Sequence, residues 1–414
     1  MDRIKVGVIG VGRGMSFARS AAFAGMELVA LCDSWEGKLR EAGRDLGVAT
    51  YADYGEFLGH DMDAVILANY FNEHAPFAIK ALRAGKHVMS ETSSNSTLAE
   101  GVALCRAVEE SGKVYMLAEN YAYTAFSQEM RRLYAAGEIG KATYAEGEYN
   151  HPVDPDYQAR LTDGDGHWRM WLPPTYYCTH ALAPLMYVTD SMPRRVTSFS
   201  IPREAVSRKY ADPGCAILIR MDDGSVFRIF GLMLPGHSNW YRIHGERGAV
   251  ELTRGPGYFG PGQLRVWHDH WTLREGEEAE RVYTPEFPEF AEQAKAAGHG
   301  GGDFFTNHHF AQAIREGRQP YLDVYRGVAM SSVGILAWRS ALGDGEPFDV
   351  PDFGREDSRA AYQDDHWSPF PKDAGPGQPP SSVLGFVGLS DGVRAFYERK
   401  WAEMREANER NAGG

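Results

Sequence analysis

The chain has 414 residues, with 43 Lys and Arg against 56 Asp and Glu and a formal net charge of −13. That acidic balance excludes a protein built to hold nucleic acid on a basic face, and no apolar run is long enough to span a membrane. With 43% apolar and 24% charged residues, the composition is that of an ordinary globular chain long enough for two or three domains.

The first predicted element is a short apolar strand, Ile4–Ile9, running into Gly10-Val11-Gly12-Arg13-Gly14. A strand, a glycine turn and a helix start together make a site for a dinucleotide pyrophosphate. Gly10 allows the tight turn, Gly12 lets the backbone approach the phosphates, and the helix from about Met15 to Ala24 points its first amides at the anion. Such a site needs an acid at the end of the second strand, and Asp33 closes Glu27-Leu28-Val29-Ala30-Leu31-Cys32. A carboxylate there accepts from ribose hydroxyls and repels a 2′-phosphate, so the expected cofactor is NAD rather than NADP. The third glycine of the pattern falls one residue early, at Gly14, with Met15 in its place; Arg13 is therefore expected to reach the phosphates.

Strand-like runs recur at 64–68, 87–90 and 114–118, with helical stretches between them. One helix, 97–111, opens on the capping box Thr97-x-x-Glu100 and stops before Gly112. This rhythm predicts a parallel sheet with helices on both faces. After about residue 122 it changes. A helix (126–136) precedes a strand (143–149), and two hairpins follow, 216–221 with 226–232 and 241–244 with 249–253. Helices return at 304–316 and 324–341. From Pro351 the chain is rich in Pro, Gly, Ser and Asp, and it ends in a polar helix from Asp391 to about Asn408. That tail reads either as an arm packed on the body or a partner subunit, or as a frayed appendage. The predicted fold class is α/β: an N-terminal Rossmann doubly wound parallel sheet (1–121), then an α+β domain on a large open, mostly antiparallel sheet (122–350), then the arm (351–414). The first strand begins almost at Met1, which leaves no room for a leader peptide. With Cys32, Cys105, Cys178 and Cys215 scattered along the chain, a cytoplasmic protein with reduced thiols is expected.

Gly10-x-Gly12, the segment Ala75–Ala84 with Gly85-Lys86-His87-Val88, and Ile243-His244-Gly245-Glu246-Arg247-Gly248 together resemble the Gfo/Idh/MocA oxidoreductases over residues 1 to about 350. The resemblance implies a Rossmann domain followed by an open-sheet domain whose face often joins subunits. It also implies substrates among sugars, cyclitols and related polyols, hence a homodimer or homotetramer acting on a small carbohydrate. Two departures stand out. Where the family has Glu-Lys-Pro with a catalytic lysine, this chain has Glu91-Thr92-Ser93. Where it has Asp-x-Gly-x-His, this chain has Tyr176-Tyr177-Cys178-Thr179-His180. A narrower branch, the NAD-dependent α-N-acetylgalactosaminidase group, is similar on these points. It also lacks the lysine, and its Tyr-x-Thr-His resembles Tyr177–His180, its Glu-Asn resembles Glu119-Asn120, and its Tyr-x-His resembles Tyr149-Asn150-His151. A late glycine-rich motif of that group is matched by 298–303 with one extra glycine. Carried over by position, Phe71, His74, Glu91, Thr92 and Asn120 would line the cofactor, and Tyr149 with Tyr177–His180 would meet the sugar.

Hydride transfer from a hydroxyl carbon needs a base for the hydroxyl proton. His180 suits that task, and Tyr177 does if nearby positive charge lowers its pKa; alternatively, His180 is a satisfied core histidine. The two lie three residues apart and would share one face of a helix. Trp168-Arg169 offers an aromatic face and a donor for a sugar, or packs as core. Cys178 and Thr179 lie within the same run, and Asp303 with His299 would close the site. His268-Asp269-His270 shows no third ligand, so no metal is expected. Three functions stay open: an NAD-dependent dehydrogenase of a sugar or glycoside, a glycoside hydrolase that uses NAD transiently, and a nucleotide-binding protein without catalysis.

Overall fold

A computed structural model describes residues 3–204 and 207–412; Met1, Asp2 and the last two residues of the arm lie outside it. Six parallel strands form the first sheet: β1 (Ile4–Ile9), β2 (Met26–Cys32), β3 (Ala49–Tyr51), β4 (Ala64–Leu67), β5 (His87–Ser90) and β6 (Tyr115–Leu117). Their order is β3-β2-β1-β4-β5-β6. The chain reverses direction across the sheet between β1 and β4, so a crevice opens beyond their carboxyl ends, where doubly wound sheets hold dinucleotides. The predicted strands and this architecture match; β3, only three residues long, shows no periodicity in the sequence.

The glycine loop sits at that crevice. Gly10 has φ +97°, and a Cβ there would lie 2.2 Å from the Ala68 carbonyl just past β4, so only glycine fits the turn. The following helix runs Gly14–Ser20 and tightens to 3₁₀ over Ala21–Ala24. On the far side of the sheet, the helix Leu98–Ser111 has the expected capping box: Thr97 accepts from the Glu100 amide at 3.1 Å, and Glu100 accepts from Ser96 and Thr97. A cap of this kind contributes about 1 kcal/mol.

The second sheet has nine strands in the order β14-β13-β12-β11-β7-β10-β9-β8-β15. They are β7 (Ala142–Asn150), β8 (Pro193–Ile201), β9 (Gly214–Met221), β10 (Val226–Leu232), β11 (Ser238–Gly245), β12 (Ala249–Leu252), β13 (Leu264–Trp267), β14 (Glu280–Tyr283) and β15 (Phe348–Asp349). Only β7 and β10, at its centre, pair in parallel. Helices Thr179–Thr189 and Val324–Leu342 cover one face. The first lies directly on β7: a Cβ on Gly147 would sit 2.0 Å from the Ala181 carbonyl. This helix is buried on every side and holds Pro184 in its interior.

The C-terminal arm packs on the body. Its helix, Asp391–Ala412, lays Tyr397 and Trp401 against Ala159, Met170 and Tyr210 in a small apolar cluster separate from the main core. Trp401 donates to Thr162 at 3.2 Å, and Tyr397 donates to the Arg208 carbonyl at 2.8 Å. No helix among the described residues is long and apolar enough to cross a membrane.

Candidate active site

The carboxyl ends of β1, β2, β4, β5 and β6 deliver, in order, the glycine loop, Asp33, Asn69–His74, Glu91–Ser93 and Glu119–Asn120. Asp33 accepts the amides of Val11 and Trp35, each at 2.8 Å, so its carboxylate is fixed at the rim of the glycine loop. A Cβ on Gly12 would meet nothing within 4 Å, which leaves open space above the loop. Deeper along the same edge, the side-chain carbonyls of Asn72 and Asn120 are buried without a hydrogen-bond partner among the described residues. An anion-ready loop, a fixed ribose-type acid and unsatisfied acceptors in one crevice fit a dinucleotide with a carboxamide head.

Arg13 does not point into that open space. Its guanidinium bonds Glu91 at 3.0 Å and Asp303 at 3.0 and 2.7 Å. Asp303 itself is fully buried. It also accepts from Ser16 at 2.5 Å and Asn120 at 2.9 Å, with His299 Nδ1 at 2.9 Å. Arg13, expected at the phosphates, and Asp303, expected at the sugar, here neutralise each other. Burial alone would raise the Asp303 carboxyl; the bond from His299 and the charge of Arg13 overcome it and hold the group well below the usual carboxylate range. Burial likewise opposes ionisation of Glu91, but Arg13, then His74 and His180, keep it below its ordinary value. Thr92, standing in the lysine place, is buried and donates to Glu91 at 3.2 Å; its hydroxyl brings no positive charge where the lysine would. His74 Nδ1 lies 3.0 Å from the Ser93 carbonyl, tying two strand exits together, and burial lowers its pKa. Phe71 stacks on Trp168 with centroids 5.2 Å apart.

His180 lies across this edge from the second sheet. Its Nδ1 sits 2.7 and 2.8 Å from the two oxygens of Glu119, which is fully buried. A carboxylate only accepts, so Nδ1 donates to Glu119 and Nε2 is the ring nitrogen turned away from it. Around the imidazole stand Tyr121 (4.4 Å between centroids), Tyr149 (4.6 Å) and Tyr177 (5.0 Å). The rings of Tyr258, from the 255–262 loop, and of Tyr121 meet through a 2.6 Å hydroxyl contact. Tyr177 and His180 do not share a helix: a 3₁₀ turn (Pro174–Tyr177) ends at Cys178 before the helix Thr179–Thr189 begins. They meet because that junction bends. Burial, then the charge of Glu91, raises the Tyr177 pKa, while Arg169 acts weakly the other way. The idea of an ionised Tyr177 is therefore corrected to a phenol that keeps its proton. Cys178 is also corrected: it is fully buried, 3.8 Å from the Met330 carbonyl, and burial pushes its thiol up, so it faces core rather than substrate. Thr179 is 1% exposed at the start of its helix. Arg169 lies over the Trp168 ring at 4.3 Å.

The Glu119-Asn120 pair is visible in the sequence, but nothing there marks Glu119 as the partner of His180. His268 gains neighbours in Glu138 and Glu277, but those carboxylates are held by Arg281 and Arg247 at 2.7 Å each.

Three family models match in succession. Residues 4–119 match the oxidoreductase family with an NAD-binding Rossmann fold, 127–251 the GFO/IDH/MocA C-terminal domain, and 219–359 the glycosyl hydrolase 109 C-terminal domain. A glycosyl hydrolase family 109 protein of Solibacter usitatus is 27% identical over 85% of this chain and 88% of its own length. Another from Saccharopolyspora erythraea is 25% identical over 86% and 84%. Among solved structures, an oxidoreductase domain protein from Kribbella flavida superposes with a TM-score of 0.73 at 20% identity, over 85% of this chain and all of the other. Levoglucosan dehydrogenase in complex with NADH and levoglucosan gives 0.72 at 20% identity, over 84% and 100%. These structures share the fold. The two consecutive models of one family, laid over the two sheets just described, place the chain in the Gfo/Idh/MocA oxidoreductases, with an NAD-binding Rossmann unit and a C-terminal region of the glycosyl hydrolase 109 kind.

Proposed function

We propose that the protein oxidises a hydroxyl of a sugar or glycoside by hydride transfer to NAD, with His180 as the base. The observation that carries this is the Glu119–His180 pair, held among tyrosine rings at the carboxyl edge of the Rossmann sheet where the usual lysine is Thr92. Bound NAD supplies the hydride acceptor. Gly10, Gly12, Gly14 and Asp33 would hold its phosphates and ribose, with Phe71, His74 and Asn120 along the rest of the crevice. His180 takes the hydroxyl proton at Nε2, and Glu119 stabilises the imidazolium that forms. Tyr177, which keeps its proton, donates a hydrogen bond to the substrate oxygen, and Tyr149 gives the sugar ring an apolar contact.

A second reading has its own support in the match of 219–359 and of near-full-length relatives to glycosyl hydrolase 109 proteins. In that case oxidation acidifies the neighbouring C–H, the aglycone leaves by elimination, water adds, and the ketone is reduced back, so the net reaction is hydrolysis.

One experiment separates the readings. Purified protein is incubated with a glycoside panel while absorbance at the NADH band and aglycone release are followed together. Net NADH without release identifies a dehydrogenase; release without net NADH identifies the hydrolase. His180→Ala should abolish either activity, and an unaffected variant would overturn the site. A protein that binds NAD and turns over no glycoside leaves the non-catalytic reading. A homodimer or homotetramer fits Phe199 and Leu218, exposed on the open side of the second sheet; sedimentation tests it.

A further inference from the structure

Beyond the His180 cage stand two cations without an ion-pair partner among the described residues. Arg169 and Lys209 come from separate segments that run side by side: the Tyr210 amide donates to the Met170 carbonyl at 2.9 Å, and Trp171 stacks on Tyr210 at 4.2 Å. Among the described residues, neither side chain has a carboxylate within ion-pairing distance. The Lys209 ammonium rests 3.0 Å from the Met233 sulfur, a weak acceptor, and Arg169 has only the face of Trp168. The acids on the adjoining loop are turned elsewhere. Asp165 pairs with Arg394 of the arm at 3.3 Å, and Asp163 faces Tyr70 and His167. His151, at the end of β7, and His237 add two imidazoles 4.8 Å apart on the same side. The opposite, cofactor end carries Glu91 and Glu119.

Half-buried cations without partners are costly unless something anionic completes them. Burial, reinforced by Arg169, pushes Lys209 down to about 7. Arg169 adjoins the reacting position: it lies over the Trp168 ring, which stacks on Phe71, and Phe71 meets Tyr177 with centroids 6.0 Å apart.

Building on the sugar-oxidation reading, we propose that the substrate is an acidic sugar, whose carboxylate or sulfate group is bound by Arg169 and Lys209. The anion then sits on the side away from Glu91, and the sugar ring reaches past Tyr149 to bring a hydroxyl to His180.

The test uses the full chain loaded with NAD, and calorimetry rather than turnover. The probes are methyl glucosides and galactosides of both anomers, the matching methyl glucuronides and galacturonides, and a 6-O-sulfated methyl galactoside. At least one anionic probe should bind roughly tenfold or more tightly than its neutral counterpart, the scale of a charge-assisted contact. Lys209→Met and Arg169→Gln should each erase most of that preference, with NAD binding as the check that the variant is folded. Which anion is preferred separates carboxylate from sulfate. Equal or tighter binding of neutral sugars overturns the proposal and leaves the sugar-oxidation reading standing; so does an anion preference that survives both substitutions. Binding of no sugar of either kind overturns both.

Discussion

The phenol of Tyr241 donates to the main-chain carbonyl of His180 at 2.7 Å, deep in the core. The bond answers a specific vacancy. In a helix that carbonyl would accept from residue 184, but Pro184 has no N–H to give. Tyr241 on β11 supplies the missing donor and pins the turn that carries the candidate base. Tyr241→Phe should therefore cost about 1–3 kcal/mol, the penalty for an orphaned buried acceptor. Pro184→Ala restores an N–H at the same place, so the double variant should recover part of the loss. Thermal unfolding of the four proteins reads this out; strict additivity would refute the link.

Glu119 fixes the proton on Nδ1 of His180 and balances the imidazolium. Glu119→Gln keeps the shape and removes the charge. The expected result is a fall in kcat of roughly 10²-fold or more, by analogy with other base-orienting carboxylates, with little change in NAD affinity. Steady-state kinetics beside NAD titration checks it, and an unchanged kcat would sink the role.

Asp303 is a buried carboxylate with a depressed pKa, so its contribution to stability is complete above the unfolded value near 3.8 and fades as pH falls below it. Asp303→Asn should destabilise by about 3 kcal/mol at neutral pH, because Arg13 loses a buried partner. The gap between variant and wild type should narrow only below about pH 4. Denaturant melts at pH 7, 5 and 3.5 measure it; a gap that is constant with pH would mean that the carboxylate is not the cause.

Burial and the nearby Glu91 keep the proton on Tyr177, so it adds no titrating limb at ordinary pH. Tyr177→Phe should lower kcat/KM by about tenfold for the lost hydrogen bond while the shape of the pH–rate profile between 6 and 9 stays the same. A shifted alkaline limb would make Tyr177 the base instead.

The arm has its own apolar cluster. Trp401→Ala should raise amide exchange across 155–171 and 207–210 while the Rossmann sheet keeps its protection, since local clusters open below the global free energy. Hydrogen exchange followed by mass spectrometry would show it, and uniform loosening would contradict it.

Much of the Rossmann half is legible in the sequence because its signals are local. The glycine turn, the box at Thr97 and Glu100, and the apolar strand runs each fit within a few residues. The second half is less so. The helix Thr179–Thr189 is buried all round and shows no amphipathic stripe, and β8 alternates around a pair of arginines that hides its inner face. The site's key pairings span long stretches of chain: Glu119 with His180 at a separation of 61 residues, and Arg13 with Asp303 at 290. Family resemblance pointed to His180; only the fold brings Glu119 to it. The unpaired state of Lys209 is a property of what does not surround it, which no motif encodes.

The long reach from Arg13 to Asp303 also bears on the order in which the protein is made. The glycine loop leaves the ribosome 290 residues ahead of the carboxylate that neutralises its arginine, which is encoded near the start of the helix Gly302–Glu316. Until that segment emerges, Glu91 is the arginine's one carboxylate partner from this cluster, and Ser16 and Asn120 lack their common acceptor. The cofactor cleft of this chain is thus begun by one segment and closed by another synthesised much later, so a nascent chain cannot complete it early.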